Sequence, residues 1–511
     1  MTVAFCALCS VPYGVAALRA PSGARFTGLL LNHFDQDYYR AAQRSTAEAL
    51  PHANRFTSEA GAPGPGPPLY PLLGRVQRLT GLPPAVVYHL PRVLATVALP
   101  ILLVHLYSLC FPGRREPAMW AVLFALFAAG VLTFAPGLAI AHRSGEAIPE
   151  SNIVYSLSVF PHFAISYLGI TLAFTSLAMA LRGHSLARVA AAATGSGVLL
   201  GIGHSFLLLP FLAVLAGFVL VVAARPVLFG VPSTGLGRLA ATAAVLVPAA
   251  PFVYGLHRAQ ARLERLQGFA FPTSHPDRWW TWAMGFGIVS VLAVMGAVSL
   301  LRSRWKDQLT WMLLGWAVAQ SACIYLSFTP FQRRFSEGLI VPVAGLAGAG
   351  AALIRGSDLA GRAIRGGIVA VLVVGALSIA DGLGASGEYV SSDLAALAAT
   401  VRSSDVVLAG HRVSAVLPAI SDGTSHAGRP VETLHYLAKR DGATRYALRP
   451  TAAAARRWLA SQGITLVVVN RKDRSFLPQG LDDPAQACLT PAFERGDLVA
   501  YRVQAGCLTG G

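Results

Sequence analysis

Charge is what this sequence has least of. Only 13% of its 511 residues are Asp, Glu, Lys or Arg, about half the share of an ordinary soluble domain. Lysine is nearly missing: Lys306, Lys439 and Lys472 stand alone among 41 basic residues. Acids number 24, so the formal net charge is +17. That excess looks like a nucleic-acid signal. However, the arginines are scattered through loops with no basic stripe interleaved with aromatics, which argues against a nucleic-acid partner. Their abundance, with that of alanine and glycine, is the bias of a GC-rich bacterial genome. Motifs are missing too. There is no phosphate-binding glycine loop, no G-x-G-x-x-G after a strand, no Cys/His metal spacing and no G-x-S-x-G. No internal repeat supports an inverted-repeat transporter.

What is there is apolar. Hydrophobic residues make up 54% of the chain, and the mean hydropathy is +0.55. They are bunched into blocks. Crossing a bilayer core takes about 20 helical residues. Ten stretches approach that: 91–111, 117–137, 161–182, 189–203, 206–224, 239–256, 281–301, 308–328, 338–355 and 366–384. The stretch 189–203 is short, a half-span or a tilted helix. An eleventh, within 1–18, is interrupted by Pro12 and lacks the basic start and cleavage site of a signal peptide. It reads as part of a longer first helix. The expected fold is a polytopic α-helical membrane protein of about 11 transmembrane helices, with a small C-terminal exterior α/β domain.

Short cytoplasmic loops are enriched in Lys and Arg. Arg114/Arg115, Arg182/Arg188, Arg225/Arg238, Arg302/Arg304/Lys306 and Arg355/Arg362/Arg365 fall in alternate loops, which places those loops inside. Segments 20–90, 138–160, 204–205, 257–280, 329–337 and 385–511 are then outside, at the extracytoplasmic face of a bacterial inner membrane. Cys6, Cys9, Cys110 and Cys323 lie in apolar segments and are read as packing residues. Cys488 and Cys507 lie in the exterior part, where a disulfide can form.

The expected organisation is a membrane module over 1–384, with a long first outer loop at 20–90, followed by the exterior domain at 385–511. The loop holds a polar helical piece, "DYYRAAQRSTAEAL", then "GAPGPGPPLYP", which cannot be helix. The amphipathic "LLGRVQRLTGLPPAVV" suits a membrane surface. After Gly384, "DVVLAG", "ITLVVVN" and "LVAYRV" read as strands. "TAAAARRWLASQ" reads as a helix capped by Thr451.

Polar residues collect at the outer face. The first loop carries "LLLNHFDQDYYRAAQ", with Asp35, Asp37 and Tyr38. The second carries Glu146, Glu150 and, after Pro161, His162. A tight loop near the end carries Gln332, Arg333, Arg334 and Glu337. Two arginines in an outer loop break the topology rule, and paired guanidiniums suit phosphate oxygens. That reading is preferred to the bland one, in which one pairs with Glu337 and the other snorkels to water. Asp35 and Asp37 have a bland reading as solvated acids on a turn. Acids at a bilayer edge are costly unless used, and Glu150, or less so Glu146, supplies a match from another loop. Such carboxylates can hold a divalent cation or take a proton from an attacking hydroxyl. His162 has packing or capping as its ordinary role, and His204 reads as structural.

This combination resembles the bacterial GT-C superfamily of integral-membrane glycosyltransferases, which use polyprenyl-phosphate sugars. The resemblance rests on "FDQDYY", "PLYPLLGRVQRLTGLPP", "PESN…PH" and "PFQRRFSEGL", and on the exterior domain that follows. "SDGTSHAGRPVETLHY", residues 421–436, looks like a segment recurring in such proteins. The resemblance implies transfer of a hexosyl or pentosyl group on the outer leaflet, from a polyprenyl-phosphate donor to a glycan, lipid or protein acceptor. It maps the base or metal ligand onto Asp35 or Asp37, a second acid onto Glu150, and the lipid-phosphate contact onto Arg333 or Arg334. Gln332, His162 and Tyr38 are further substrate-binding candidates. Mg or Mn is the cofactor it admits. A transporter or flippase, and a non-catalytic envelope assembly protein, are the competing readings. The near absence of charge within the spans speaks against the transporter.

Overall fold

The apolar stretches fold as helices, but not all as full spans. In the computed structural model, every residue is described except 49–53, 60–65, 129–151, 225–233, 266–277, 327–331, 355–358, 431, 449–451, 473–487 and 505–511. The chain divides into two compact units. One holds residues 1–16, 89–254 and 272–386; the other holds 17–88, 255–271 and 387–511.

In the first unit, helix α1 (Thr2–Leu18) carries Pro12 inside it. Among the described residues, four helices are long and apolar enough to cross a membrane: Pro84–Cys110, Pro161–Leu181, Leu236–Gly255 and Leu359–Ala385. The expected count of about eleven transmembrane helices is not confirmed by full-length helices among the described residues. The stretch 281–301 shows one reason. It forms two helices, Trp279–Phe286 and Ile288–Ser303, bent by 99°. Gly287 sits between them at φ 56°, ψ −130°, a conformation open to glycine and strained for other residues. Other stretches fold as shorter helices, Leu186–Ile202 and Ile340–Ala351 among them. Part of 117–137 lies outside the described residues.

Small residues let these helices touch backbone to backbone. A Cβ on Gly296 would strike the Leu346 carbonyl oxygen, and one on Gly350 the Leu292 carbonyl oxygen. Without a hydrophobic drive between helices in lipid, such close packing is what associates them. Gly296→Val should therefore lower the melting temperature of the detergent-purified protein, by an overpacking penalty of about 1–3 kcal/mol. An unchanged melting curve would disprove this interface. Deeper in the unit, Phe174 stacks on Trp316 at 3.7 Å, and the buried indole N–H donates to Gln320 at 2.6 Å.

The second unit is built on two sheets. Strand β1 (Ala24–Leu30) pairs antiparallel with β2 (Gly387–Ser391), with Ala24 opposite Ser391 and Phe26 opposite Tyr389. The register shifts between Phe26 and Leu30, where Gly28 takes φ 83°, as a bulge requires. The larger sheet has strand order β4-β3-β5-β7-β6. These strands are β3 (Val406–Ala409), β4 (Thr424–Ser425), β5 (Leu466–Asn470), β6 (Leu489–Arg495) and β7 (Leu498–Val503). Strands β3, β5 and β7 match the three expected from the sequence. The central β3–β5 pair is parallel, and β5–β7 is antiparallel. Alternation along β5 sorts its side chains. Val467 and Val469 join one core with Leu459 and Tyr446. Leu466 and Val468 join another with Leu397 and Leu417. Both faces are covered, hence the unbroken apolar run. The helix expected from Thr451 is Ala452–Ser461; Thr451 itself lies outside the described residues. Cys488 is disulfide-bonded; Cys507 lies outside the described residues.

Helix α2 (His33–Glu48) starts ahead of the expected polar piece and takes in the whole D-x-D. Helix α3 (Leu69–Thr80) packs on it and ends at Gly81 with φ 67°, the usual left-handed stop. Gly74 admits that contact, because a Cβ there would lie 2.9 Å from the Thr46 Cβ. The 421–436 segment wraps residues 54–59 with backbone and side-chain bonds. Ser425 N donates to the Arg55 carbonyl at 2.9 Å, Asn54 to the Glu432 carbonyl at 2.7 Å, and Thr433 to the Phe56 carbonyl at 2.6 Å. Lys439, one of three lysines, donates to Thr57, Ser58 and Glu59 from a buried position.

Candidate functional site

Helical geometry decides the D-x-D. Residues two apart on an α-helix lie about 200° apart around its axis, so Asp35 and Asp37 leave α2 on opposite sides. Asp35, in the first turn, accepts from Asn32 Nδ2 at 2.6 Å and from Arg429 at 2.9 Å. The positive N-terminal end of α2 favours a carboxylate there. Its surroundings are those of a structural anchor.

Asp37 is different. It is 2% exposed and shares a side-chain hydrogen bond with Glu388 of β2. Burial raises its pKa well above the usual carboxylate range, and the Glu388 charge adds to this; Arg40 and Arg429 pull it down less. A second carboxylate so close disfavours ionisation of the buried Asp37. Glu388 also accepts from the Thr27 hydroxyl, at 2.9 Å. Asp37 and Glu388 line a cavity of about 610 Å³ together with Arg412, Asn470 and Lys472. A buried acid beside a second carboxyl on a cavity is the arrangement that tunes carboxyls for proton transfer.

Glu388 was not among the sequence candidates. The available signal was the rule already applied to the first loop: it is the first acid after the last apolar stretch. Arg429 was missed as a residue, although its segment was singled out. Tyr38 is 3% exposed and packs against Tyr39 and Phe56. Its hydroxyl accepts from the Gly66 amide at 3.1 Å, and burial pushes its pKa up.

The remaining candidates belong to the first unit. His162, 1% exposed, packs on Phe163 at 4.5 Å and on His204 at 4.7 Å. His204 Nδ1 meets Glu337 at 2.5 Å, which gives Glu337 a buried histidine partner. Arg333 and Arg334 lie on the 3-10 turn Gln332–Ser336, and Arg334 is within electrostatic reach of both histidines. Gln332 is buried and donates to the Leu326 carbonyl at 3.2 Å. Glu146 and Glu150 lie outside the described residues.

Among the described residues, no group of three or more His, Cys, Asp or Glu side chains is placed to hold a metal ion. Asp35, already engaged by Arg429, points away from Asp37. Glu150, the third member of the expected trio, lies outside the described residues. Asp37 and Glu388 supply hard oxygen donors but are only two, where such a cation takes about six ligands.

No known family profile matches the sequence, and no curated protein matches it. Solved structures do. ArnT from Cupriavidus metallidurans, bound to undecaprenyl phosphate, aligns over 100% of this chain and 99% of its own at 13% identity, with a TM-score of 0.55. The Archaeoglobus fulgidus oligosaccharyltransferase, in complex with Zn and sulfate, aligns over 98% of this chain and 73% of its own at 13% identity and TM-score 0.53. The mycobacterial arabinofuranosyltransferase AftD aligns over 99% of this chain and 40% of its own at 14% identity and TM-score 0.53. This chain is a multi-pass membrane protein with the GT-C fold, the architecture it shares with these transferases.

Proposed function

We propose that the chain is a membrane glycosyltransferase that moves a hexosyl or pentosyl group from a polyprenyl-phosphate donor to an acceptor. The observation that carries this reading is the buried Asp37 beside the half-buried Glu388 on a cavity, within a GT-C fold. The undecaprenyl phosphate in the ArnT structure supports the donor class. The acceptor oxygen attacks the anomeric carbon. The bond from that carbon to the phosphate oxygen breaks, and its electron pair leaves with the polyprenyl phosphate. The acceptor proton passes to the ionised member of the pair. Its protonated partner orients it through the shared hydrogen bond.

Arg333 and Arg334 are proposed for the lipid phosphate, with Gln332 and His162 supporting their turn. Asp35 is proposed as an anchor for α2, and Tyr38 as a support for it. The arginine pattern of the loops supports an inner-membrane protein with this site and residues 385–511 outside. Mg or Mn would need donors beyond Asp37 and Glu388; Glu150 is a candidate donor, and no step is assigned to a cation.

The test is reconstitution with labelled polyprenyl-phosphate sugars, comparing wild type with Asp37→Asn and Asp35→Asn in the presence and absence of a chelator. Loss of transfer in Asp37→Asn is expected, with Asp35→Asn retaining part. Equal transfer by Asp37→Asn and wild type would overturn the assignment. Movement of lipid across vesicles without covalent transfer would point to a transporter instead.

A further inference from the structure

A second cavity, of about 480 Å³, lies in the second unit and has a different chemistry. Its lining carries three arginines, Arg25, Arg40 and Arg44, and among the described residues no acid. Arg40 and Arg44 are four apart on α2 and stack on one face, where like charges repel. Arg44 is compensated by Asp422 at 2.5 Å. Arg40 sits 5.9 Å from the centre of the Tyr88 ring and within electrostatic reach of Asp37. Arg25 projects from β1 and is exposed. The lining also holds Pro83, Pro84, Ala85 and other apolar residues, against which the non-polar part of a ligand can rest.

This cavity adjoins the acid pair. Val390 lines both cavities. Thr27, in the wall of the second, donates to Glu388, in the wall of the first. Arg40 lies one helical turn from Asp37 on α2.

We propose that the arginine-lined cavity is a subsite for a phosphate monoester carried by the acceptor. It would hold that anion while the acceptor's nucleophile lies at Asp37–Glu388. The assignment rests on the transferase reading for its role. Guanidinium forks match phosphate oxygens in pairs, and an anion between Arg40 and Arg44 removes their mutual repulsion.

The test is direct binding to the full chain in neutral detergent, so that it does not depend on turnover. The probes are a soluble hexose 6-phosphate, the same neutral hexose, and short-chain phosphatidic acid. The hexose phosphate should bind and the neutral hexose should not. The Arg25→Gln/Arg40→Gln protein should bind at least about tenfold more weakly, as expected when charge-assisted contacts are lost. The exposed Arg25→Gln alone, which cannot disturb the core, should show part of that loss. Binding by phosphatidic acid alone, weakened in the same variants, would support the subsite and assign its source to a lipid headgroup. Equal binding by wild type and variants, or no binding of either anion, would overturn it. Asp37→Asn should keep anion binding. If transfer is absent but arginine-dependent binding persists, the transferase reading fails and the anion site stands. If transfer is present and binding ignores the arginines, only the subsite fails.

Discussion

Asp37→Asn should lose at least about a hundredfold in transfer rate, the usual range for removing one member of a positioned proton-transfer pair, while making the folded protein more stable at neutral pH. The two effects have one cause. Asp37 is buried beside Glu388, so its ionised form is disfavoured by desolvation and by a like charge. In the unfolded chain the same carboxyl ionises above about pH 4. The folded protein therefore holds a proton that the unfolded chain releases. Stability from that proton is complete below the unfolded pKa and is lost as pH rises through the raised folded value. Asparagine has the same shape and nothing to ionise. The melting temperature of Asp37→Asn should thus exceed that of wild type, by a margin that is larger at pH 8 than at pH 5. Thermal unfolding across that range, beside a transfer assay, measures both. A variant that is inactive and also less stable at pH 8 would mean that Asp37 is a packing residue.

Arg429→Met should cost about 3 kcal/mol of stability, near the lower end for breaking a buried ion pair. Arg429 is 5% exposed. It bonds Asp35 at 2.9 Å and approaches Glu432 at 3.3 Å, and it lies near the Phe34 and Phe56 rings. It thereby ties the first turn of α2 to the 421–436 segment. Glu432 is the vulnerable partner. Burial raises its pKa to about 7, against the pull of Arg429. Without Arg429 the carboxyl must hold its proton more firmly or be charged and unpaired, so the loss should be larger at pH 8 than at pH 6. Arg429→Met/Glu432→Gln should recover part of it. Denaturant unfolding of the four proteins at both pH values forms the double-mutant cycle. No recovery in the double variant would show that the pair does not couple.

The Asp35–Asp37 question shows how far a sequence carries. The acids stood out because they are expensive at a bilayer edge, and that is a local property. Their separation into an anchor and a buried proton holder follows once the helix begins at His33. The local pattern had placed the polar helical piece from Asp37 onward, which concealed that the pair straddles the axis. The partner of Asp37 was out of reach: Glu388 arrives only because β1 pairs with β2, a contact across more than 350 positions of chain. His204 and Glu337, 133 apart, meet in the same non-local way.

By itself the sequence determined the membrane class, the positions of most apolar helices, three strands of the C-terminal sheet and the acid-bearing first loop. These depend on composition and on periods of two and 3.6 residues, which neighbours along the chain specify. Only the tertiary structure decided that 281–301 breaks at Gly287, that residues 17–88 fold with 387–511, and which carboxyl faces Arg429 and which Glu388. Those outcomes depend on contacts between distant segments, where packing and the cost of a buried charge select the partner.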